Sequence, residues 1–155
     1  MKIAEGLITK ADLEEKIYNF YNRARNNLLV QEGEVAQEDP EKLIKSLEEA
    51  NKSLVELTAK IHKANSQSQL VDEDGNPLDI TIQEALAKKE GLVSLASKLR
   101  DLAESATPQN RYSKSEIKFI ATVDSKVLQT KADKLSKEAR NLDIAIQRTN
   151  WLVDL

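Results

Sequence analysis

The chain has no cysteine. That excludes a disulfide framework and any thiolate metal site, and it is compatible with the cytosol. There is one histidine, His62, so no second imidazole exists to complete a metal site with it. Aromatics are 4% of 155 residues, with four glycines and three prolines. Such scarcity argues against a sheet-built fold, where aromatics and turn residues accumulate. Long apolar runs are missing too. The stretch at 28–30 is as long as they get, far below the roughly 20 residues that span a bilayer. The opening MKIAEGLITKADLEE has no apolar core of signal-peptide length. Basic excess is absent as well: the net charge is -3, which argues against nucleic acid as a partner.

What the chain does have is charge, 32% of residues, and helical rhythm. Residues 43, 47, 50, 54, 57, 61 and 64 are Leu, Leu, Ala, Leu, Leu, Ile and Ala. These steps of four and three form a heptad seam that requires a partner helix. Residues 128, 132, 135, 139, 142, 146 and 149 repeat the rhythm with Leu, Ala, Leu, Ala, Leu, Ile and Thr.

Four helices follow, over about 3–29, 40–65, 82–105 and 125–152, in a single domain spanning 1–155. The first has Ile3, Leu7, Leu13, Ile17, Phe20, Ala24 and Leu28 near one face. Asp39-Pro40-Glu41 opens the second, because Asp caps free N–H groups, Pro suits the first helical position and Glu favours the positive end of the dipole. Asp74-Gly75 between short β-capable runs predicts a small hairpin near 68–80. Thr81 and Glu84 form a capping box for the third helix, whose apolar positions are 85/86, 92, 95/96, 99, 102 and 106. Gly91 within it suggests close approach of a neighbour. Ser113 and Glu116 offer a second capping box, and residues 117–123 read as extended over part of their length. Asp124 caps the fourth helix. The fold class is therefore all-α in the main, an antiparallel bundle of long helices with coiled-coil hairpins and one β-hairpin.

Shifting the chain by 85 superposes the two seams and pairs Asp39 with Asp124, Ile61 with Ile146 and Asn65 with Asn150; it also sets Leu7 against Leu92. Duplication is one reading; two heptad helices slid into phase is the other. Ile44, Val55, Val127, Ile144 and Val153 lie off the seams and either widen the contact within the chain or face another chain.

Chemical signals are sparse. His62 lies off the seam and reads as an exposed or half-packed helix residue. Glu32, Glu34, Glu38 and Asp39 could gather around a hard cation, or form a solvated acidic loop. Residues 72–76 look calcium-like but lack the acid spacing of an EF-hand and read as the hairpin turn. No phosphate-binding loop, nucleophile elbow or dinucleotide fingerprint occurs, so no cofactor and no catalytic residue is assigned. Two polar clusters stand out: Arg111, Tyr112 and Glu116 in a loop, and Arg140, Asp143, Gln147, Asn150 and Trp151 on the fourth helix. The two arginines could bind an anion or tie a loop to a helix end through Glu32 or Asp143. Trp151 reads as a packing anchor.

These pieces also carry a resemblance. Ala11-Asp12-Leu13, the stretch from Asn27 through Gly33-Glu34, Glu38-Asp39-Pro40, Ile61 with Asn65, Arg111-Tyr112-Ser113, Ser115-Glu116-Ile117-Lys118, and Gln147 with Asn150-Trp151 resemble the bacterial septicolysin-like family of small helical proteins. The third helix departs from the pattern at Lys89-Glu90. The family name implies a pore-forming cytolysin, and the resemblance brings no catalytic residues. Taken with the seams, the residues point to a non-enzymatic, cytoplasmic, self-assembling helical protein with a second copy as partner and the membrane an unfavoured one. Membrane lysis and a cation-dependent enzyme acting on a small anion, with Glu32, Glu34, Arg111 and Arg140 converging, are the alternatives.

Overall fold

A computed structural model describes residues 1–108 and 117–155. The chain folds into α1 (Ile3–Asn26), α2 (Pro40–Gln67), β1 (Gln69–Val71), β2 (Pro77–Thr81), α3 (Ile82–Ser105) and α4 (Ser125–Leu152). The mainly all-α class with one small hairpin is what the periodicity predicts. Two compact units divide it: Met1–Ser68 with Arg148–Leu155, and Gln69–Gln147.

In the first unit α1 packs against α2. The expected α2 seam holds: Leu43, Ala50, Leu57 and Ile61 are buried, and Leu47, Leu54 and Ala64 half-buried. On α1 the buried stripe differs from the expected one. It runs Ile3, Gly6, Lys10, Leu13, Ile17, Phe20, Ala24 and Asn27, again in steps of three and four, each buried or half-buried. Leu7 and Leu28, expected on this face, are exposed. The reason is at both ends of the helix. At Gly6 a Cβ would meet Leu155 Cδ1 at 2.3 Å, so glycine lets the Leu155 side chain take this seat. Asn27 closes the helix: its Nδ2 donates to the Arg23 carbonyl (2.9 Å), and its Oδ1 accepts from Glu38 N (3.0 Å). Hence α1 stops at Asn26 rather than near residue 29.

Pro40 begins α2 as expected, with Asp39 accepting from Glu41 N at 3.0 Å and Lys42 N at 3.4 Å. Beside it, Arg23 pairs with Glu38, and the hydrogen bond from Arg23 holds the Glu38 carboxyl below the usual carboxylate range. The two chain ends are joined. Ile3 N donates to Val153 O (3.0 Å), Leu155 N to Met1 O (2.9 Å), and Lys2 Nζ to Leu152 O and Asp154 Oδ2 (both 2.9 Å). That bond to Lys2 keeps the Asp154 carboxyl low.

In the second unit β1 and β2 pair antiparallel, with Gln69 opposite Thr81. Asp72 Oδ1 accepts from Asp74 N (2.9 Å) and Asn76 N (2.8 Å), and Gly75 takes φ +86, so the Asp72 carboxylate serves a turn. Two strands alone are marginal; this pair lies on α3 with Leu70 fully buried. The capping box forms: Glu84 N donates to Thr81 Oγ1 (3.2 Å), and Thr81 N to Glu84 Oε2 (2.8 Å). The bond from the Thr81 backbone depresses the Glu84 carboxyl.

The stripe of α3 runs Ile82, Ala85, Lys89, Leu92, Ala96, Leu99, Ala103 and Ala106, all buried or half-buried. Leu95 and Leu102, expected on this face, are exposed, and Ala103 fills the position instead. At Gly91 no atom of a neighbour lies within 4 Å of a built Cβ, so close approach does not occur there. On α4 the expected seam holds in full, with Ala132, Ala139, Ile146 and Thr149 buried and Leu128, Leu135 and Leu142 half-buried. Asp124 accepts from Lys126 N at 2.8 Å, as its capping role requires. Residues 117–124 form neither strand nor helix. The second capping-box candidate, Ser113 with Glu116, lies outside the described residues.

The helix pairs match. α1 and α3 are each 24 residues long, and α2 and α4 each 28. The stripe of α3 is that of α1 moved by 79 positions, and the seam of α4 is that of α2 moved by 85. The first-helix shift pairs Leu7 with Leu86 and Leu13 with Leu92, which corrects the pairing of Leu7 with Leu92. The difference comes from the connectors, residues 27–39 and 106–124.

Candidate functional site

Lysine belongs on a helix surface, yet Lys89 stands on the inner stripe of α3 and its side chain is 30% exposed. There it meets Asp143 of α4, with Nζ 2.7 Å from Oδ1. Two further pairs join the helices: Lys88 with Glu138 at 2.8 Å and Arg100 with Asp133 at 3.2 Å. Arg100 Nη2 also donates to Ser136 Oγ at 2.8 Å. The partners of residues 88, 89 and 100 fall at 138, 143 and 133, so the helices run antiparallel.

Between these struts lies an open cleft of about 410 Å³, lined by Lys89, Val93, Ser97 and Arg100 from α3 and Ser136, Ala139, Arg140 and Asp143 from α4. All belong to the second unit. Its floor is apolar through Val93 and Ala139. Its hydroxyls are Ser97 and Ser136. Lys89 and Arg100 each have a carboxylate partner; Arg140 has no ion pair among the described residues. The cleft therefore offers one uncommitted guanidinium beside an apolar floor, the chemistry that receives an oxyanion.

The ten residues singled out in the sequence divide. Arg140 and Asp143 meet in this cleft. Gln147 is exposed on α4. Asn150 is 4% exposed, and its Oδ1 has no hydrogen-bond partner among the described residues; the Asn65 Oδ1, at the matching place on α2, likewise has none there. Trp151 is 56% exposed, so it is not the packing anchor expected; the buried neighbours at that end are Thr149 and Asn150. Glu32 and Glu34 are exposed in the first unit's connector, where Glu34 lines an open pocket with Asn27 and Val30. Arg111, Tyr112 and Glu116 lie outside the described residues. Asp143 is met by Lys89; the alternative of Arg111 tying a loop to Glu32 or Asp143 lies outside the described residues. Among the described residues, no three of His, Asp and Glu gather as a metal site would require.

Sequence reasoning missed Lys89, Arg100, Ser136 and Asp133. A signal existed for the first: a lysine three residues before Leu92 on a three–four rhythm is a charge placed on an inner stripe.

A family model described as "Family of unknown function (DUF6847)" matches residues 10–155. No curated protein matches the chain. Among solved structures, a functionally unknown conserved protein from Corynebacterium diphtheriae is 32% identical, with a TM-score of 0.86, covering 100% of this chain and 98% of that one.

Proposed function

The chain belongs to that family of unknown function, and from this premise we propose that it acts by assembling with a second copy of itself, as a non-enzymatic helical protein. One observation carries the reading. In the connector before α4, Ile117 is 92% exposed, Phe119 83% and Ile120 84%. Three large apolar side chains so close together and so open are what a partner covers.

A further feature supports a second copy. On α1, residues 7, 11, 14, 18, 21 and 25 form an outer stripe beside the inner one, and Leu7, Tyr18 and Tyr21 on it are exposed. Tyrosine is the kind of rigid, amphipathic side chain that anchors interfaces. Symmetric self-association is the common way to cover such a face. We place this assembly in the cytoplasm, in keeping with a chain that lacks cysteine.

Size-exclusion chromatography with light scattering tests it. The chain is expected to elute as a dimer or higher symmetric oligomer at micromolar concentration. A Phe119→Asp, Ile120→Asp double variant is expected to elute as a monomer with unchanged helical circular dichroism. A strict wild-type monomer ends the reading. The resemblance to septicolysin-like proteins gives the alternative outcome: dye release from lipid vesicles by the purified chain would replace assembly with lysis.

A further inference from the structure

We propose that the cleft between α3 and α4 is a binding site for a small organic monoanion: one singly charged oxyanion head on a short apolar body. Three observations define the ligand. The first is charge. Of the three cations lining the cleft, Lys89 is held by Asp143 and Arg100 by Asp133, leaving Arg140. One uncommitted guanidinium balances one negative charge. A dianion would have to break an existing strut to gain a second cation.

The second is the floor. Val93 and Ala139 offer apolar surface beside the guanidinium, so an anion with a hydrocarbon body gains burial that a bare inorganic ion does not. The third is size. About 410 Å³ lies within the range of small-ligand clefts. It is too large for a lone oxyanion and suits a head and a ring or short chain. Ser97 and Ser136 line the same cleft and add hydroxyl donors for the head.

The matching place on the first helix pair sharpens the assignment. Moving the shifts back, Val93, Ser97 and Arg100 become Glu14, Tyr18 and Tyr21, and Ser136, Ala139, Arg140 and Asp143 become Asn51, Leu54, Val55 and Thr58. Arginine is absent there, and Lys10 is bound by Glu14 of its own helix. The anion site is thus a property of the second pair alone, and the first pair serves as an internal control.

The test is a titration of the whole protein with benzoate, read by amide chemical shifts. Acetate, benzyl alcohol and inorganic phosphate are run as separate probes. Benzoate is expected to saturate at a Kd of about 1–10 mM, as a ligand of its size allows, with shifts confined to the neighbourhood of residues 89–100 and 136–143. Acetate and phosphate are expected to bind about tenfold more weakly or worse, lacking the body, and benzyl alcohol likewise, lacking the charge. Arg140→Gln is expected to weaken benzoate about tenfold while leaving the unfolding midpoint unchanged, since Arg140 holds no ion pair among the described residues. Val93→Asp, an exposed position, supplies a second variant with the same expected loss. No saturation by benzoate overturns the proposal. So does equal binding of acetate or phosphate, or unchanged affinity in both variants, or shifts that centre on α1 and α2. Each can fail without touching the oligomeric state, so this result and the assembly result are read independently.

Discussion

Lys10 and Lys89 occupy the same position in two helices of equal length, and they choose different partners. Lys10 Nζ lies 2.7 Å from Glu14 on its own helix, and Lys89 Nζ lies 2.7 Å from Asp143 on the facing one. The first bond stiffens a helix. The second joins two helices and sets one wall of the cleft.

A double-mutant cycle should separate these roles. The Lys10–Glu14 pair is expected to couple by about 0.3–0.5 kcal/mol, as surface pairs one turn apart do. The Lys89–Asp143 pair, half-buried and between helices, is expected to reach about 1 kcal/mol, the upper end for partly exposed pairs. Urea unfolding of the singles and doubles measures both, and the Lys10 cycle is expected to lose most of its coupling in high salt.

Two glycines on helices give different expectations for the same change. Gly91→Ala adds a Cβ into open space and should stabilise by about 0.5–1 kcal/mol through helix propensity. Gly6→Ala places its Cβ 2.3 Å from Leu155 Cδ1; that atom is the free end of a flexible side chain and must turn aside, which offsets the propensity gain, so a net change within about 0.5 kcal/mol of zero is expected. Thermal melts should rise for Gly91→Ala and stay nearly level for Gly6→Ala.

The three helix starts can be weighed against each other. Asp39→Ala, Thr81→Ala and Asp124→Ala each remove a side-chain acceptor from free backbone N–H groups and should cost about 1 kcal/mol apiece. Thr81→Ala is expected to be the most damaging, because it also strips a hydrogen bond from Glu84. Chemical denaturation ranks them.

Acid should destabilise the fold in a defined way. Glu38, Asp72, Glu84 and Asp154 are all held below their ordinary values of 4.5 for Glu and 3.8 for Asp, by Arg23, Asn76, Thr81 and Lys2 respectively. A carboxyl depressed in the folded state binds fewer protons there than in the unfolded chain, so stability rises with pH across that window. The contribution is complete above the ordinary carboxylate values and fades as pH falls through the lower folded ones. Unfolding free energy should be flat on the neutral side and decline below pH 4.5; Glu84→Gln and Asp154→Asn should each make that decline shallower.

The long periodic helices were legible because burial enforces rhythm. α3 and α4 begin and end where their caps and seams place them, and the α2 seam is buried or half-buried throughout. α1 was read one position off at its ends, since Gly6, Lys10 and Asn27 occupy inner places without being apolar. Two of the reasons are tertiary, the Leu155 side chain at Gly6 and the Glu38 amide at Asn27; the third, the Glu14 carboxylate at Lys10, is local to α1. The cleft was half legible. Arg140 and Asp143 stood out as a polar pair one turn apart. Lys89 and Arg100 did not, because only the facing helix gives them their role, and no spacing within one strip of sequence reveals which carboxylate a distant lysine will meet.

The connectors bear a consequence of their own. One spans 27–39 and the other 106–124, a difference of six residues between otherwise matched pairs. By chain-closure entropy, that lengthening costs only about 0.3 kcal/mol. Neither seam has to shift to absorb it. The connector before α4 is therefore the place where this architecture can gain or lose length almost without thermodynamic penalty, and it is also where Ile117, Phe119 and Ile120 stand open to solvent. The helices fix what the protein is; the second connector is where it is free to become different.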